Sequence, residues 1–309
     1  MVDVLLSTYN GEKYLGTFLR SLAAQSCSDF RVLVRDDGSG DGSAALLQEF
    51  AAEKKLNIAF TPDSGEHLGV VSSFASLLRE STAPYVMFAD QDDIWHPGKI
   101  DAMLKHIQQA EAERPPQTPL LLHADLRICD EKGRIIGSSH VKSQRLSPDR
   151  NSLKQLCVQN CVTGCAMILN RPLRELVRYP MPQDALCHDW YLAMLGAAAG
   201  EVLFVSQAYT DYRKHSDNVY GHRKYSFALW LKLFFSGREA LDQRLQLAQK
   251  QSLAFLEQYG DLLSEEEKEH LQLWGNIKRF PKLERLQLCR KRKYRKNTFL
   301  RTLGMWWSV

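Results

Sequence analysis

The chain has 309 residues, 44% of them hydrophobic, which suffices for one large domain with an appendage or for two modest domains. No apolar run reaches the ~18 residues of a membrane span, and Val2-Asp3-Val4-Leu5-Leu6 reads as a strand rather than as part of a signal peptide. The net charge of +4 is unevenly spread: 11 basic residues and one acidic, Glu284, lie between Lys278 and Arg301, against 29 basic and 35 acidic elsewhere.

The first half alternates between strand and helix patterns. Val2–Ser7 predicts a first strand, and Glu12–Gln25 a helix through Tyr14, Leu15, Phe18, Leu19 and Leu22. Phe30–Arg35 predicts a second strand, Asp41–Lys54 a helix, Leu56–Phe60 a third strand and Val70–Leu78 another helix. Tyr85–Ala89 predicts a fourth, buried strand, and Pro97–Ala112 a helix with proline in its first turn, where a missing N–H costs least. Such alternation with short links predicts a parallel sheet covered on both faces. After a proline-rich loop at 113–119 the pattern weakens. It offers a strand at Leu120–Ala124, a turn at Asp130-Glu131-Lys132-Gly133, a mobile loop at Ser138–Arg150 and a strand at Val162–Leu169. A helix at Asp189–Ala199 and short strands at Glu201–Val205 and Ala208–Tyr212 follow. From about Tyr225 the pattern is helical, broken at Gly260 and Pro281.

Three predicted strands end in polar runs: Ser7-Thr8-Tyr9-Asn10-Gly11, Asp36-Asp37-Gly38-Ser39 and Asp90-Gln91-Asp92-Asp93. In an open α/β sheet these ends share one rim, where ligands bind. Clustered carboxylates repel and raise one another's pKa unless a cation joins them, and a hard divalent ion such as Mg²⁺ or Mn²⁺ bridging to phosphates is the usual solution. Tyr9, Asp37, Ser7 and Thr8 supply an aromatic face, a carboxylate acceptor and small polar groups suited to a nucleoside. Singly, each run also reads as an ordinary turn, and Asp189 as a helix cap. There is no Gly-x-Gly-x-x-Gly and no Walker A loop, which argues against dinucleotide and P-loop sites.

Taken in order, these runs, together with Gly164-Cys165, His188-Asp189-Trp190 and Tyr212-Arg213-Lys214-His215-Ser216-Asp217-Asn218, resemble a family 2 inverting glycosyltransferase of the glycosyltransferase-A type over residues 2–222. The Asp-Gln-Asp-Asp-Ile-Trp run and the Tyr-Arg-x-His ending look most like the bacterial rhamnosyltransferase-like branch that builds surface polysaccharides. The resemblance implies an α/β fold with a mostly parallel, Rossmann-like sheet flanked by helices. It divides into a nucleotide-binding half to about 115, an acceptor-binding half at 116–222 and a helical basic region at 223–309. It implies metal-dependent transfer of a sugar from a nucleoside diphosphate sugar to a hydroxyl of a growing glycan such as lipopolysaccharide or capsule. Ser7, Thr8, Tyr9, Asn10, Asp37, Asp90 and Gln91 would bind the nucleotide, with Asp37 accepting from the base N–H and Asp90 near the ribose. Asp92, Asp93 and His215 would hold Mn²⁺ or Mg²⁺. Asp189 would be the base that deprotonates the acceptor, which Gly164, Cys165, His188 and Trp190 would contact. Two departures stand out: His67 replaces the usual Asn before Leu68-Gly69, and His188 stands where many members have Glu, though this branch often has His.

Two rivals remain. A sugar nucleotidyltransferase usually carries a Gly-rich basic loop after the first strand, which Ser7–Gly11 lacks; a non-catalytic scaffold of the same fold needs neither Asp92 nor Asp189. Seven cysteines without a disulfide or zinc spacing read as buried thiols of a cytoplasmic protein. The basic tail, interleaved with Leu, Phe and Trp, suits an anionic membrane surface better than nucleic acid, and predicts peripheral attachment to the inner face of a bacterial cytoplasmic membrane near a lipid-linked acceptor.

Overall fold

The structure is a computed structural model that describes residues 1–182, 185–215 and 238–309. Strand β1 (Val2–Thr8) lies near the middle of the sheet, and its alternation sends Val4 and Leu6 to one apolar layer and Leu5 to the other. Both layers are covered, which is why the run reads as continuously apolar. Strands β2 (Phe30–Asp36), β3 (Ile58–Phe60) and β4 (Tyr85–Asp90) continue the parallel arrangement, separated in sequence by helices α1 (Glu12–Ala23), α2 (Ser43–Ala52) and α3 (Val70–Glu80). These elements agree with the sequence patterns to within a few residues at their ends.

The second half is less regular. It comprises β5 (Ile94–Trp95), α4 (Lys99–Ala112), β6 (Leu120–Cys129), β7 (Ile135–Gly137), α5 (His140–Gln144) and α6 (Leu153–Leu156). Then come β8 (Met167–Asn170), α7 (Arg171–Glu175), α8 (His188–Ala199) and β9 (Glu201–Arg213). The sheet runs in the order β3-β2-β1-β4-β8-β6-β9-β5, with β7 on β6. Its parallel character breaks at β8, which is antiparallel to both β4 and β6. The reversal has a purpose for the site. Pairing Tyr85 with Asn170 and Met87 with Ile168 brings the residues just before β8 to the carboxyl end of β4. The expected strand from Val162 accordingly begins only at Met167, after a single helical turn at Gly164–Ala166. The two strands expected between Glu201 and Tyr212 are one long strand whose register against β6 slips around Asp125. The loop expected at Ser138–Arg150 contains α5, whose cap residue Ser139 accepts from the Lys142 N–H.

Helices α9 (Arg238–Tyr259), α10 (Glu265–Gly275), α11 (Lys282–Lys291) and α12 (Phe299–Ser308) form the C-terminal region. The expected boundary near residue 222 lies outside the described residues. Beyond it the helices share their core with the sheet: Phe255, Trp274, Cys289, Tyr294, Met305 and Val309 belong to the same buried cluster as Phe88, Leu121 and Tyr191.

Gly200, which links α8 to β9, shows how tight this packing is. A Cβ there would stand 1.9 Å from the Pro119 carbonyl oxygen, which also accepts from the Glu201 N–H at 3.0 Å. Relief requires moving backbone in β6 or β9. Gly200→Ala should therefore destabilise the fold by about 2–3 kcal/mol. Chemical denaturation with an unchanged midpoint would refute this.

Candidate active site

The ends of β1 and β2 are laced together by short polar side chains. Thr8 Oγ1 donates to Asp36 at 2.9 Å, the Asn10 N–H donates to Ser39 Oγ at 2.9 Å, and Asn10 Oδ1 accepts from the Gly40 N–H at 2.8 Å. Ser7 pairs in register with Asp90 on β4. Ser7, Thr8 and Asn10 thus lie together on the rim, but Thr8 and Asn10 are engaged in shaping it. Gln91, expected to touch a nucleotide, also shapes the rim. Its amide accepts from the Tyr9 N–H and donates to the Tyr9 carbonyl, both at 2.9 Å, and its side chain covers Gly11. Gln91 thereby fixes the backbone that presents Tyr9, a residue 46% exposed.

Asp37 is only 2% exposed. Its Oδ1 accepts from the Leu68 N–H at 2.7 Å and from Ser73 Oγ at 3.0 Å, and its Oδ2 from the Gly69 N–H at 2.9 Å. The fully buried Arg35 guanidinium pairs with it as well, and also holds Asp63 and the Glu66 carbonyl. Burial alone would raise the Asp37 pKa, but these donors more than offset it and the pKa is lowered. Arg35 and Asp37 thereby pin the segment 63–69 beside Tyr9. The signal for Arg35 was hidden, because an arginine inside a strand predicts surface.

The Asp90–Asp93 run divides by depth. Asp93 is fully buried, accepts from the Arg213 N–H at 3.2 Å and, among the described residues, leaves Oδ2 without a hydrogen-bond partner. Asp92 lies higher and meets His215, with Nε2 at 2.6 Å from Oδ2, while the Arg213 guanidinium holds the Asp92 carbonyl at 2.8 Å. Tyr14 supports this corner, its ring 4.8 Å from that of His215 and 4.9 Å from the Arg213 guanidinium. Burial, then the charges of Asp92 and Asp189, push Asp90 up to about 7. Burial, then the charges of Asp92 and Asp90, push Asp93 well above its usual range. Asp90, Asp93 and the Cys165 thiol bring ligand atoms within 4.8 Å of one another. A crowded carboxylate set with a partnerless buried oxygen suits a divalent cation, so these residues fit the expected metal chemically. Beneath them lies Lys99, which the helix pattern did not mark. Its ammonium is buried, donates to the Cys165 carbonyl at 2.6 Å and lies 3.5 Å over the Trp95 ring; burial lowers its pKa to about 8.

Asp189 closes the constellation. It does not cap α8, whose cap residue Cys187 has no side-chain cap bond. Its Oδ2 accepts from the Gly164 N–H at 2.9 Å and its Oδ1 from Asn160 Nδ2 at 3.1 Å. Asn160 is itself locked by bonds to both polar groups of the Val162 backbone, at 2.9 and 3.0 Å. Nothing in the sequence singled out Asn160. Gly164 and Cys165, expected at an acceptor, are buried; the Gly164 N–H holds Asp189 and the Cys165 carbonyl accepts from Lys99. His188 and Trp190, the other expected acceptor contacts, are packed against the protein. The His188 ring is 7% exposed, packed 4.1 Å from Phe74 and 5.2 Å from Phe88, and burial lowers its pKa to about 4. Trp190 donates its indole N–H to the Leu156 carbonyl at 2.6 Å and packs on the core. α8 is apolar nearly all round, so His188 meets Phe74 and Phe88 while Trp190 meets α6. Ser216, Asp217 and Asn218, the end of the last motif, lie outside the described residues.

The sequence profile of Glycosyl transferase family 2 matches residues 3–176. The chain belongs to this family. Among family members, the dTDP-rhamnosyl transferase RfbG of Shigella flexneri is 31% identical over 226 residues, covering 70% of this chain and 73% of its own. The UDP-Glc:alpha-D-GlcNAc-diphosphoundecaprenol beta-1,3-glucosyltransferase WfgD of Escherichia coli is 21% identical, covering 62% and 68%. Other curated relatives are longer than the matched part: the chain spans 44% of an uncharacterized glycosyltransferase of Nostoc sp. and 62% of uncharacterized mycobacterial proteins. The fold is that of family glycosyltransferases of the A type. Residues 1–349 of TarS from S. aureus in complex with UDP superpose with a TM-score of 0.56 at 16% identity, covering 94% of this chain and 91% of that one. A mannosyltransferase from Pyrobaculum calidifontis in complex with GDP-Man and Mn²⁺ superposes with a TM-score of 0.56 at 15% identity, covering 94% and 75%.

Proposed function

We propose that this protein transfers a sugar, with inversion, from a nucleoside diphosphate sugar to a hydroxyl of a lipid-linked bacterial surface glycan. The observation that carries the reading is Asp189: a carboxylate held by the Gly164 N–H and Asn160 beside Asp90, at the rim, with no capping duty. As the acceptor oxygen bonds to the anomeric carbon, its proton passes to Asp189 and the bond to the diphosphate oxygen breaks on the opposite face. Tyr9 and Asp37 orient the base, and Ser7 and Asp90 the ribose. Asp92 and His215, with Asp90 and Asp93 behind them, would hold a divalent ion; when bound, it supplies Lewis-acid stabilisation of the leaving diphosphate. The name of RfbG favours a dTDP-sugar donor, rhamnose included, and that of WfgD a polyprenyl diphosphate acceptor. The test is hydrolysis of a panel of dTDP-, UDP- and GDP-sugars with and without Mn²⁺. Turnover of one nucleotide class only with metal is expected, and no turnover of any sugar nucleotide would overturn the reading.

The same reading places the enzyme on the inner face of the cytoplasmic membrane. Among the described residues no helix is long and apolar enough to cross a membrane. Leu283 on α11 is 77% exposed, and Phe299 and Trp307 on α12 are 74% and 48% exposed; Lys282 stands 4.9 Å over the Trp307 ring. Exposed apolar groups among cations suit an anionic interface. Deleting 278–309 would remove the buried Tyr294, Met305 and Val309, so point variants are the proper test. Leu283→Ser with Phe299→Ser and Trp307→Ser should weaken sedimentation with phosphatidylglycerol vesicles roughly tenfold, and added salt should weaken the wild type as well. Unchanged sedimentation would show that this surface is simply solvated.

A further inference from the structure

One contact in the nucleoside-binding corner belongs to neither the metal nor the base machinery. The His67 ring lies 4.6 Å from the Tyr9 ring, tilted by 42°. Its Nδ1 is 3.0 Å from Asp37 Oδ2 and 3.2 Å from the Asp37 carbonyl oxygen. Both partners are acceptors, so Nδ1 carries the proton. A flat heteroaromatic ring thus rests against Tyr9 and points a ring N–H at Asp37. A uracil, thymine or guanine in the proposed site would make the same two contacts, since each has a ring N–H on its pairing edge. Adenine and cytosine present an unprotonated ring nitrogen there.

The anchoring of the segment agrees with a movable surrogate. Its backbone is fixed at both sides of His67: Arg35 holds the Glu66 carbonyl at 2.7 Å, and Asp37 holds the Leu68 and Gly69 N–H groups. The His67 side chain is 62% exposed, so it can rotate away without opening the core. On its departure Asp37 Oδ2 keeps the Gly69 N–H and regains an acceptor site facing Tyr9. The carboxylate otherwise has every bond filled from inside the protein, so a base has one contact that it can replace, and that contact is His67.

We propose that His67 is an internal surrogate for the nucleobase, competing with it for the Tyr9 ring and the Asp37 carboxylate, and so sets the enzyme's nucleotide affinity. This rests on the reading of Tyr9 and Asp37 as the base subsite. A side chain that fills the subsite divides the apparent affinity by the fraction of time the subsite is open. One aromatic contact and one hydrogen bond to the Asp37 carbonyl, beside its carboxylate, correspond to about a 3- to 10-fold effect.

The experiment is calorimetric titration of UDP, dTDP, GDP and CDP, each with Mn²⁺, into the full chain and into its His67→Ala, His67→Asn and Tyr9→Ala variants. Removing the surrogate should tighten UDP, dTDP or GDP, whichever the enzyme prefers, by about 3- to 10-fold, and should leave CDP weak. The sign decides. If His67 instead sandwiches the base, His67→Ala weakens binding, and the proposal fails; unchanged affinity overturns it equally. Tyr9→Ala keeps the two levels apart. If it weakens the preferred nucleotide while His67→Ala does nothing, only the surrogate is wrong. If Tyr9→Ala has no effect, the base subsite itself is misassigned.

Discussion

Asp189→Asn should lower the turnover of sugar transfer by on the order of 10²-fold or more while nucleoside diphosphate affinity stays nearly unchanged. The substitution keeps the shape of the side chain and removes its capacity to take a proton. The geometry adds a condition on how the result is read. Oδ2 accepts from the Gly164 N–H and Oδ1 from Asn160 Nδ2. An amide in this place must direct its NH₂ at one of these two donors, so one hydrogen bond is lost whichever way it turns. A stability loss of about 1–2 kcal/mol is therefore expected and is no sign of a structural cap. Asn160→Ala, which removes one of the same bonds and the two to Val162 but leaves the carboxylate, provides the reference. It should lose at least as much stability and far less turnover. The measurement is single-turnover transfer at saturating donor with protein verified as folded. If both variants lose the same turnover, Asp189 is a structural acceptor and another group takes the proton.

The elements most legible in the sequence were those with one dominant physical cause. β1, β2 and β4 are buried on both faces, so their apolar runs carry the signal unaided, and the polar ends that follow fall on one rim because parallel strands share a direction. β8 was not legible in this way. Its orientation is set by pairing with β4 and β6, which no local pattern encodes, so the burial of Gly164 and Cys165 just before it was not legible either. The site residues divide similarly. Asp92, Asp93, Asp189 and His215 stood out because clustered or isolated ionisable groups at strand and helix ends are uncommon. Arg35, Lys99 and Asn160 escaped because their importance comes from partners far away in sequence: Asp63 and Glu66, Cys165, and Asp189. His188 stood out in the sequence for its neighbour. A histidine beside a carboxylate invites a polar role, and α8 packs it against Phe74 and Phe88.

Chelation should be as damaging as loss of the base. EDTA is expected to reduce transfer on the order of 10²-fold or more, with recovery on adding Mn²⁺ in excess, and Asp92→Ala should be as inactive without any recovery. Asp92 is the carboxylate to remove first. Its side chain lies at the rim, 15% exposed, against His215, whereas Asp93 is fully buried and takes the Arg213 N–H. Asp92 lies at the rim rather than in the core, so the thermal midpoint should move by no more than a few degrees. Asp93→Asn makes the comparison informative. It retains an acceptor for Arg213 and removes the charge below the rim, and it should weaken Mn²⁺ dependence less than Asp92→Ala does. The reverse order would assign the ion to the deeper set formed by Asp90, Asp93 and Cys165. Wild-type transfer that persists undiminished in EDTA would sink the metal altogether, and would leave stabilisation of the leaving diphosphate to cationic side chains near Tyr14, with Arg213 the first to test.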